Sequence, residues 1–311
     1  MKQIVCIFGS NSLLAKDFIN TFYKKFNIIG VYSKSIDKEI NKKLFKSFQL
    51  DIGKKQTYSQ LQHFAQYIKS IVTNKKINFL LFSWCGKPRV KDKSEDARNK
   101  NINQKIIENF LCISSFCKPS KIIFLSSAGA IYDQINGDYS KENDQPKPSS
   151  SYGLQKLIAE QELNKFCNKN LIDLIILRVS SAYGYNPEFS DNGVLNKWLF
   201  QAKNDDQILI YNSLESSINF ISFIQVSRSL EFCLISNIKG CFNLGSNLST
   251  TLEEILEVVK KISGKDNLKL KFKGKSKRQF NLDSSLFRNL SKLNFKNEIE
   301  KEAYKIYNLI N

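Results

Sequence analysis

The chain has 311 residues, 42% of them apolar and 24% charged, with a formal net charge of +18. That length supports a substantial core in one large domain or two modest ones, and no apolar run reaches the roughly 18 residues of a membrane-spanning helix. Only six of the 47 basic residues are arginine, against the arginine and aromatic clusters of specific nucleic-acid sites, and the single histidine, His63, excludes most Ser-His-Asp and His-metal centres.

Taken in chain order, short apolar runs alternate with helical spacing over the first 180 residues. Residues 4–8 read as a buried strand and not as a signal peptide. A helix over 13–26, a strand over 27–32 and a short strand over 48–51 follow. The spacing then predicts a helix over 56–72, a strand over 79–84, a helix over 102–117, a strand over 122–126, a helix over 152–167 and a strand over 174–179. This rhythm implies an α/β fold with a parallel sheet covered on both faces, whose ligands sit at the carboxyl ends of the strands. Beyond Arg178 the rhythm breaks. A loop-like stretch over 182–193 precedes a helix over 194–202, strands over 207–211 and 219–224, a helix over 226–235, a strand over 241–244 and a helix over 251–263. The lysine-rich tail over 265–277 alternates, and a short amphipathic helix closes the chain. These later pieces read as a smaller cap interleaved with the last strands of the sheet.

The seven cysteines are odd in number, scattered and mostly inside apolar runs. They read as reduced core thiols of a cytoplasmic protein, with no zinc spacing.

Strand 4–8 ends in Gly9-Ser10-Asn11-Ser12-Leu13-Leu14-Ala15 before a helix. The spacing is that of a Gly-x-x-Gly-x-x-Gly turn with Ser12 and Ala15 in the second and third places. Such a turn aims backbone N–H groups at a diphosphate; an ordinary capped turn has the same look. The second strand ends in Tyr32-Ser33-Lys34-Ser35. An acid there would bind a ribose 2′-hydroxyl, whereas a hydroxyl and a lysine favour the 2′-phosphate of NADP over NAD. Asp51, followed by Ile52 and Gly53, is placed to bind an adenine amine or to cap a helix. Ser83, Trp84 and Phe82 line a cofactor pocket or pack the core. Asn101 supports the strand beside the site or caps a helix.

Tyr152-Gly153-Leu154-Gln155-Lys156 follows an apolar run, Lys121 to Leu125, that ends in Ser126-Ser127. A Tyr and a Lys four apart share a helix face, where an ammonium lowers the pKa of a phenol. A strand-end hydroxyl completes an acid/base set for a sugar oxygen.

These pieces in this order, with Leu177-Arg178 through Tyr183-Gly184 and then Cys241-Phe242-Asn243-Leu244-Gly245, resemble the extended short-chain dehydrogenase/reductase family. Its members are NAD(P)-dependent epimerases and dehydratases of nucleotide sugars. The resemblance runs through nearly the whole chain. It implies a Rossmann doubly wound sheet with a small C-terminal α/β substrate-binding cap, divided as 1–180 and 215–245 against 181–214 and 246–311. It implies Tyr152 as catalytic acid/base, Lys156 on the nicotinamide ribose, and Ser127 as the catalytic hydroxyl. Gly9, Asn11, Ser12, Leu13, Ser33, Lys34, Asp51, Ile52, Ser83, Trp84 and Asn101 would hold the cofactor. Ser126, Ser181, Asn192 and Arg278 would touch the substrate. A homodimer through helices 102–117 and 152–167 and a role in surface polysaccharide biosynthesis complete the expectation. The chain departs from the family pattern at Ala128 and Ala130, where a hydroxyl is usual, at Ser181, where Asn is common, and at Ile218, where an arginine grips the substrate diphosphate. Ala128-Gly129-Ala130 also speaks against dehydration. The same departures keep a second expectation open, a non-catalytic NAD(P)-binding sensor or scaffold.

Overall fold

The computed structural model describes residues 2–72, 76–86, 92–132, 136–185, 193–246, 248–296 and 298–310. In chain order its elements are β1 (Ile4–Phe8), α1 (Leu13–Phe22), β2 (Asn27–Tyr32), α2 (Lys38–Lys43), β3 (Lys46–Gln49), α3 (Tyr58–Val72), β4 (Ile77–Leu81), α4 (Lys93–Cys117), β5 (Lys121–Ser127), α5 (Ala128–Ile131) and β6 (Asn136–Ser140). They continue with α6 (Ser151–Asn170), β7 (Asp173–Val179), β8 (Ser181–Tyr183), α7 (Val194–Lys203), β9 (Ile208–Ile210), β10 (Ser217–Ser222), α8 (Phe223–Ile235) and β11 (Gly240–Leu244). The last elements are β12 (Ser249–Thr251), α9 (Leu252–Ser263), β13 (Leu270–Phe272), β14 (Gln279–Leu282), α10 (Ser285–Ser291) and α11 (Ile299–Leu309). Among the described residues no helix is long and apolar enough to cross a membrane.

The chain divides into two compact units, Met1–Ile131 with Pro148–Arg178 and Ser227–Cys241, and Tyr132–Lys147 with Val179–Val226 and Phe242–Asn311. The first is built on a sheet of order β11-β7-β5-β4-β1-β2-β3, with β1 parallel to both β2 and β4. The chain winds outward from β1 to β3 and then returns to β4 on the other side of β1, so the order reverses between β1 and β4. Every residue of β1 and β4 is buried, as expected for strands covered on both faces. Phe8, Phe79 and Phe110 meet edge-on or tilted at 5.0–6.0 Å between ring centroids and fix α4 against these two strands. The buried Lys121 opens β5 and donates to the carbonyls of Cys233 and Ser236, at 2.5 and 2.6 Å. An ammonium there satisfies carbonyls that the end of α8 leaves open.

Some boundaries differ from those read in the sequence. Helix α4 begins at Lys93, nine residues before the expected start, because Asp92 caps it through the Ser94 N–H and Glu95 and Asp96 fill its first turn. That turn is polar and solvent-facing, so it carries no apolar period. The fourth strand stops at Leu81, short of the expected 84, and the third lies at Lys46–Gln49 in place of 48–51. The expected helix start at 56 moves to Tyr58, where Thr57 and Gln60 exchange capping hydrogen bonds of 2.9 and 3.2 Å.

The second unit holds a sheet of order β12-β10-β14-β6, with β8 also on β10, and a small parallel pair β13-β9. Its core gathers Trp198, Leu199, Ile208, Ile210, Ile255 and Val259. Helix α9 carries a full capping box, Thr251 with Glu254, and ends at Gly264 in the left-handed region.

Candidate functional site

At the reversal between β1 and β4, Gly9 turns the chain with φ of +90°. A Cβ there would lie 2.5 Å from the backbone N of Ser83, so only glycine fits. The Gly9 and Ser10 N–H groups both donate to the Val31 carbonyl, at 2.9 and 3.0 Å, and Ser83 N–H donates to the Phe8 carbonyl at 2.9 Å. Ser12 then caps α1 by accepting from Ala15 N–H at 3.3 Å, and Leu13 is the first helical residue. The Asn11 amide donates to the Ser35 carbonyl, while its buried Oδ1 has no partner among the described residues. A glycine cradle, a helix N-terminus and an orphaned polar atom are what a diphosphate-bearing cofactor requires, so the residues fit one. Ser33 and Lys34 follow β2 and are exposed.

Asp51 caps no helix. Its carboxylate accepts from Gly53 N–H at 3.0 Å, shaping the turn after β3. Ile52 is packed in the core, and its carbonyl, like that of Lys54, accepts from the Asn109 amide at 2.9 and 2.8 Å.

Tyr152 and Lys156, the pair expected to be catalytic, stand on the first turns of α6. Ser150 caps that helix through Gly153 N–H at 3.1 Å. A Cβ on Gly153 would come 2.1 Å from the Ala130 carbonyl, so this glycine lets α6 lie directly on α5, the short turn that leaves the end of β5. Ser127 ends β5 half-buried; Ser126 is buried with its Oγ unpartnered among the described residues. Ala128 and Ala130 are buried and offer no hydroxyl. Lys156 donates to the Leu125 carbonyl at 2.8 Å and sits 5.9 Å from the centroid of the Tyr152 ring.

The expected lowering of the tyrosine pKa is not what this geometry gives. Burial pushes Tyr152 up to about 12, and burial also pulls Lys156 down to about 7, against a smaller opposing pull from Glu160. An ammonium held by a carbonyl and itself desolvated does little for a neighbouring phenol, and loss of water disfavours both charged forms. At neutral pH Tyr152 is therefore a protonated phenol.

The structure also corrects Asn101. It is exposed in the middle of α4, neither a cap nor a support. Asn103 holds that place: its Oδ1 accepts from Cys85 N–H at 2.8 Å and its amide donates to the Cys85 carbonyl at 3.0 Å. The same amide donates to Gln155 Oε1 at 2.6 Å. Asn99, Asn103, Ile106, Phe110, Ile113 and Cys117 form the buried stripe of α4, so helical spacing read back from Phe110 selects Asn103 and rejects Asn101. A second pairing not read in the sequence is the buried bridge of Arg178 to Glu160, at 2.8 Å, one turn beyond Lys156.

In the second unit Ser181 is half-buried on β8, opposite Phe220. The exposed Arg278 is anchored by its backbone, donating to Ser216 Oγ at 3.1 Å and accepting from Ser217 N–H at 2.9 Å. Of the lysines near it, Lys277 is paired with Glu215 at 2.7 Å. Asn219, beside Ile218, is buried and donates to the Ser246 carbonyl at 3.0 Å. Asn192 lies outside the described residues. His63 is exposed on α3.

Residues 85–226 match the model of the NAD dependent epimerase/dehydratase family. The dTDP-4-dehydro-6-deoxyglucose reductase of Escherichia coli is 32% identical over 171 residues, 51% of this chain and 53% of that protein. The chain spans about half the length of the curated relatives it matches. Among solved structures, a UDP-glucose 4-epimerase of Thermotoga maritima with UDP-glucose aligns at a TM-score of 0.85 and 19% identity, covering 98% of each chain. A UDP-glucose 4-epimerase of Thermus thermophilus with NAD aligns at 0.85 and 15% identity, covering 99% of this chain and 100% of that one. Residues 85–226 thus match that family's model, and the chain shares the Rossmann fold of these epimerases.

Proposed function

We propose that the protein is an NAD(P)-dependent epimerase or reductase acting on a nucleotide-linked sugar, with Tyr152 as the acid/base. The carrying observation is the placement of Tyr152 and Lys156 on the first turns of α6, packed on the end of β5 in the unit that also holds the Gly9 turn. When bound, the nicotinamide supplies or accepts hydride at the sugar carbon. The turn from Gly9 through Asn11 and Ser12 to Leu13 would hold its diphosphate. Ser33 and Lys34 would hold a ribose phosphate, Asp51 and Ile52 would flank the adenine, and Ser83 and Lys156 would lie on the nicotinamide side. Ser33 and Lys34 favour NADP.

The protein's own part is the proton. Tyr152 donates to the sugar oxygen as a carbonyl is reduced, or takes a proton back in the reverse direction. Ser126 and Ser127, at the end of β5, would be its hydroxyl neighbours in this reading. A phenol held protonated well above neutral pH favours the reducing direction, and the relative at 32% identity carries a reductase name. Ser181, Asn192 and Arg278 are the residues that would touch the substrate in this reading. The nucleotide-linked product is an activated glycosyl donor, suited to surface polysaccharide biosynthesis. Free, largely buried thiols support a cytoplasmic setting. Leu154 and Ile158, one turn apart and exposed on α6, support a homodimer through α4 and α6, which sedimentation equilibrium measures.

The test is turnover of dTDP- and UDP-linked 4-keto and 4-hydroxy sugars with NADPH, NADH and NAD. Conversion with preference for NADPH supports reduction; conversion with a retained, non-exchanging NAD supports epimerisation. The buried Ala128, in place of a hydroxyl, favours one rival: a non-catalytic nucleotide sensor. That rival predicts tight nucleotide binding, no turnover, and a cellular role that survives Tyr152→Phe.

A further inference from the structure

Lys156 is almost fully buried, yet among the described residues no carboxylate forms an ion pair with its ammonium. Glu160, the acid whose charge acts on it, lies one helical turn on and is bound by Arg178 at 2.8 Å. What surrounds Nζ is aromatic: the Trp84 ring centroid at 4.2 Å, Phe124 at 4.6 Å and Tyr152 at 5.9 Å. The Leu125 carbonyl accepts its hydrogen bond. Trp84 and Phe124 pack edge to face at 5.8 Å and 61°, so the two rings form one wall. The buried indole N–H has no hydrogen-bond partner among the described residues, leaving the ring's contact with the ammonium as its main polar engagement.

The loop that carries Trp84 is held on both sides of it. Ser83 N–H is tied to Phe8, and both backbone groups of Cys85 are tied to Asn103, which grips Gln155. Two adjacent loop residues, 84 and 85, are thus coupled to two adjacent residues of α6, 156 and 155. A cation over an indole face is attracted by the ring quadrupole, and more strongly once water is removed.

We propose that Trp84 is a positioning residue: its indole, with Phe124, cradles the Lys156 ammonium against the Leu125 carbonyl and so presets where that lysine meets a bound nicotinamide nucleotide. The nucleotide half of this statement rests on the function proposed above; the cradle itself does not.

Lysine ε-carbon–proton NMR spectra of the full-length protein without nucleotide test the cradle, the Lys156 cross-peak being the one lost in Lys156→Arg. The indole ring current places that peak upfield of the other lysines. Trp84→Leu returns it toward them, and Trp84→Phe leaves it partly shifted. Calorimetric titration with NADPH and NADH then tests positioning. Trp84→Leu weakens binding about fivefold or more and Trp84→Phe by no more than about twofold, the range a desolvated cation–π contact spans. A wild-type Lys156 peak among the other lysines overturns the cradle, even if Trp84→Leu fails to fold. A shifted peak with equal affinity in wild type and Trp84→Leu overturns the positioning role. Absence of nucleotide binding by the wild type refutes the cofactor reading and, with it, positioning, while the NMR result still decides the cradle.

Discussion

Replacing Lys156 by methionine tests the electrostatics of the site before any substrate is known. Burial holds this amine at about 7, from an ordinary 10.5; at about 1.4 kcal/mol per pH unit, the fold disfavours its charged form by about 4–5 kcal/mol. Between those two values the unfolded chain carries a proton that the folded chain does not. Stability contributed by the lysine therefore rises with pH through that window and is lost as pH falls to about 7. Methionine, of similar length and without charge, removes the dependence. The variant also removes the hydrogen bond to the Leu125 carbonyl, costing about 1–3 kcal/mol, so the informative quantity is how the stability difference changes with pH. Urea unfolding followed by circular dichroism, in parallel for both proteins, should show the wild type gaining about 2 kcal/mol on the variant between about pH 7 and about pH 9. Thiols that titrate in the same range are common to both proteins and cancel. A difference constant across that range would refute the reasoning, because it would mean the lysine titrates near its ordinary value in the fold.

Three further substitutions separate the supports of the site. Asn103→Ala strands both backbone groups of Cys85 and should cost about 2–4 kcal/mol, whereas Asn101→Ala, on the exposed face, should change stability by less than about 0.5 kcal/mol; thermal melts of the pair decide between them. Gly9→Ala forces a side chain onto Ser83 at positive φ and should destabilise by at least about 1–3 kcal/mol, with loss of nicotinamide-nucleotide binding in titration. Arg178→Met leaves Glu160 buried and unpaired, a loss of about 3–5 kcal/mol. Adding Glu160→Gln should recover a measurable part of it in the same unfolding assay.

The parts of the fold that depend on local pattern were legible in the chain. Strands β1 and β2 begin and end where expected because each is an apolar run with a turn on either side. Tyr152 and Lys156 declare themselves by spacing and by the strand end upstream. Contributions from elsewhere in the chain were not legible. Strand β6, Asn-Gly-Asp-Tyr-Ser, has no apolar period, and its strand character comes from pairing with β14. The first turns of α4 are polar apart from Ala97, so its start rests on the Asp92 cap. Asn101 was read in a place that burial along one face of α4 gives to Asn103. The state of Lys156 was least legible of all. Four residues on one helix suggested a partner for Tyr152, but Trp84 from the loop after β4 and Phe124 from β5 enclose the ammonium, and burial turns the expected pKa of the tyrosine upward.

The most direct test of the account is transfer of label from cofactor to sugar. The purified protein is incubated with NADPH deuterated at nicotinamide C4 and a nucleotide-linked keto sugar, and the product is analysed by mass spectrometry and NMR. The account predicts deuterium on the sugar carbon that bears the new hydroxyl, with the rate falling about 10²–10⁴-fold in Tyr152→Phe while the fold is retained. Retention of all the deuterium in the nicotinamide with no interconversion of the sugars on a retained NAD, or equal transfer by Tyr152→Phe, would contradict it.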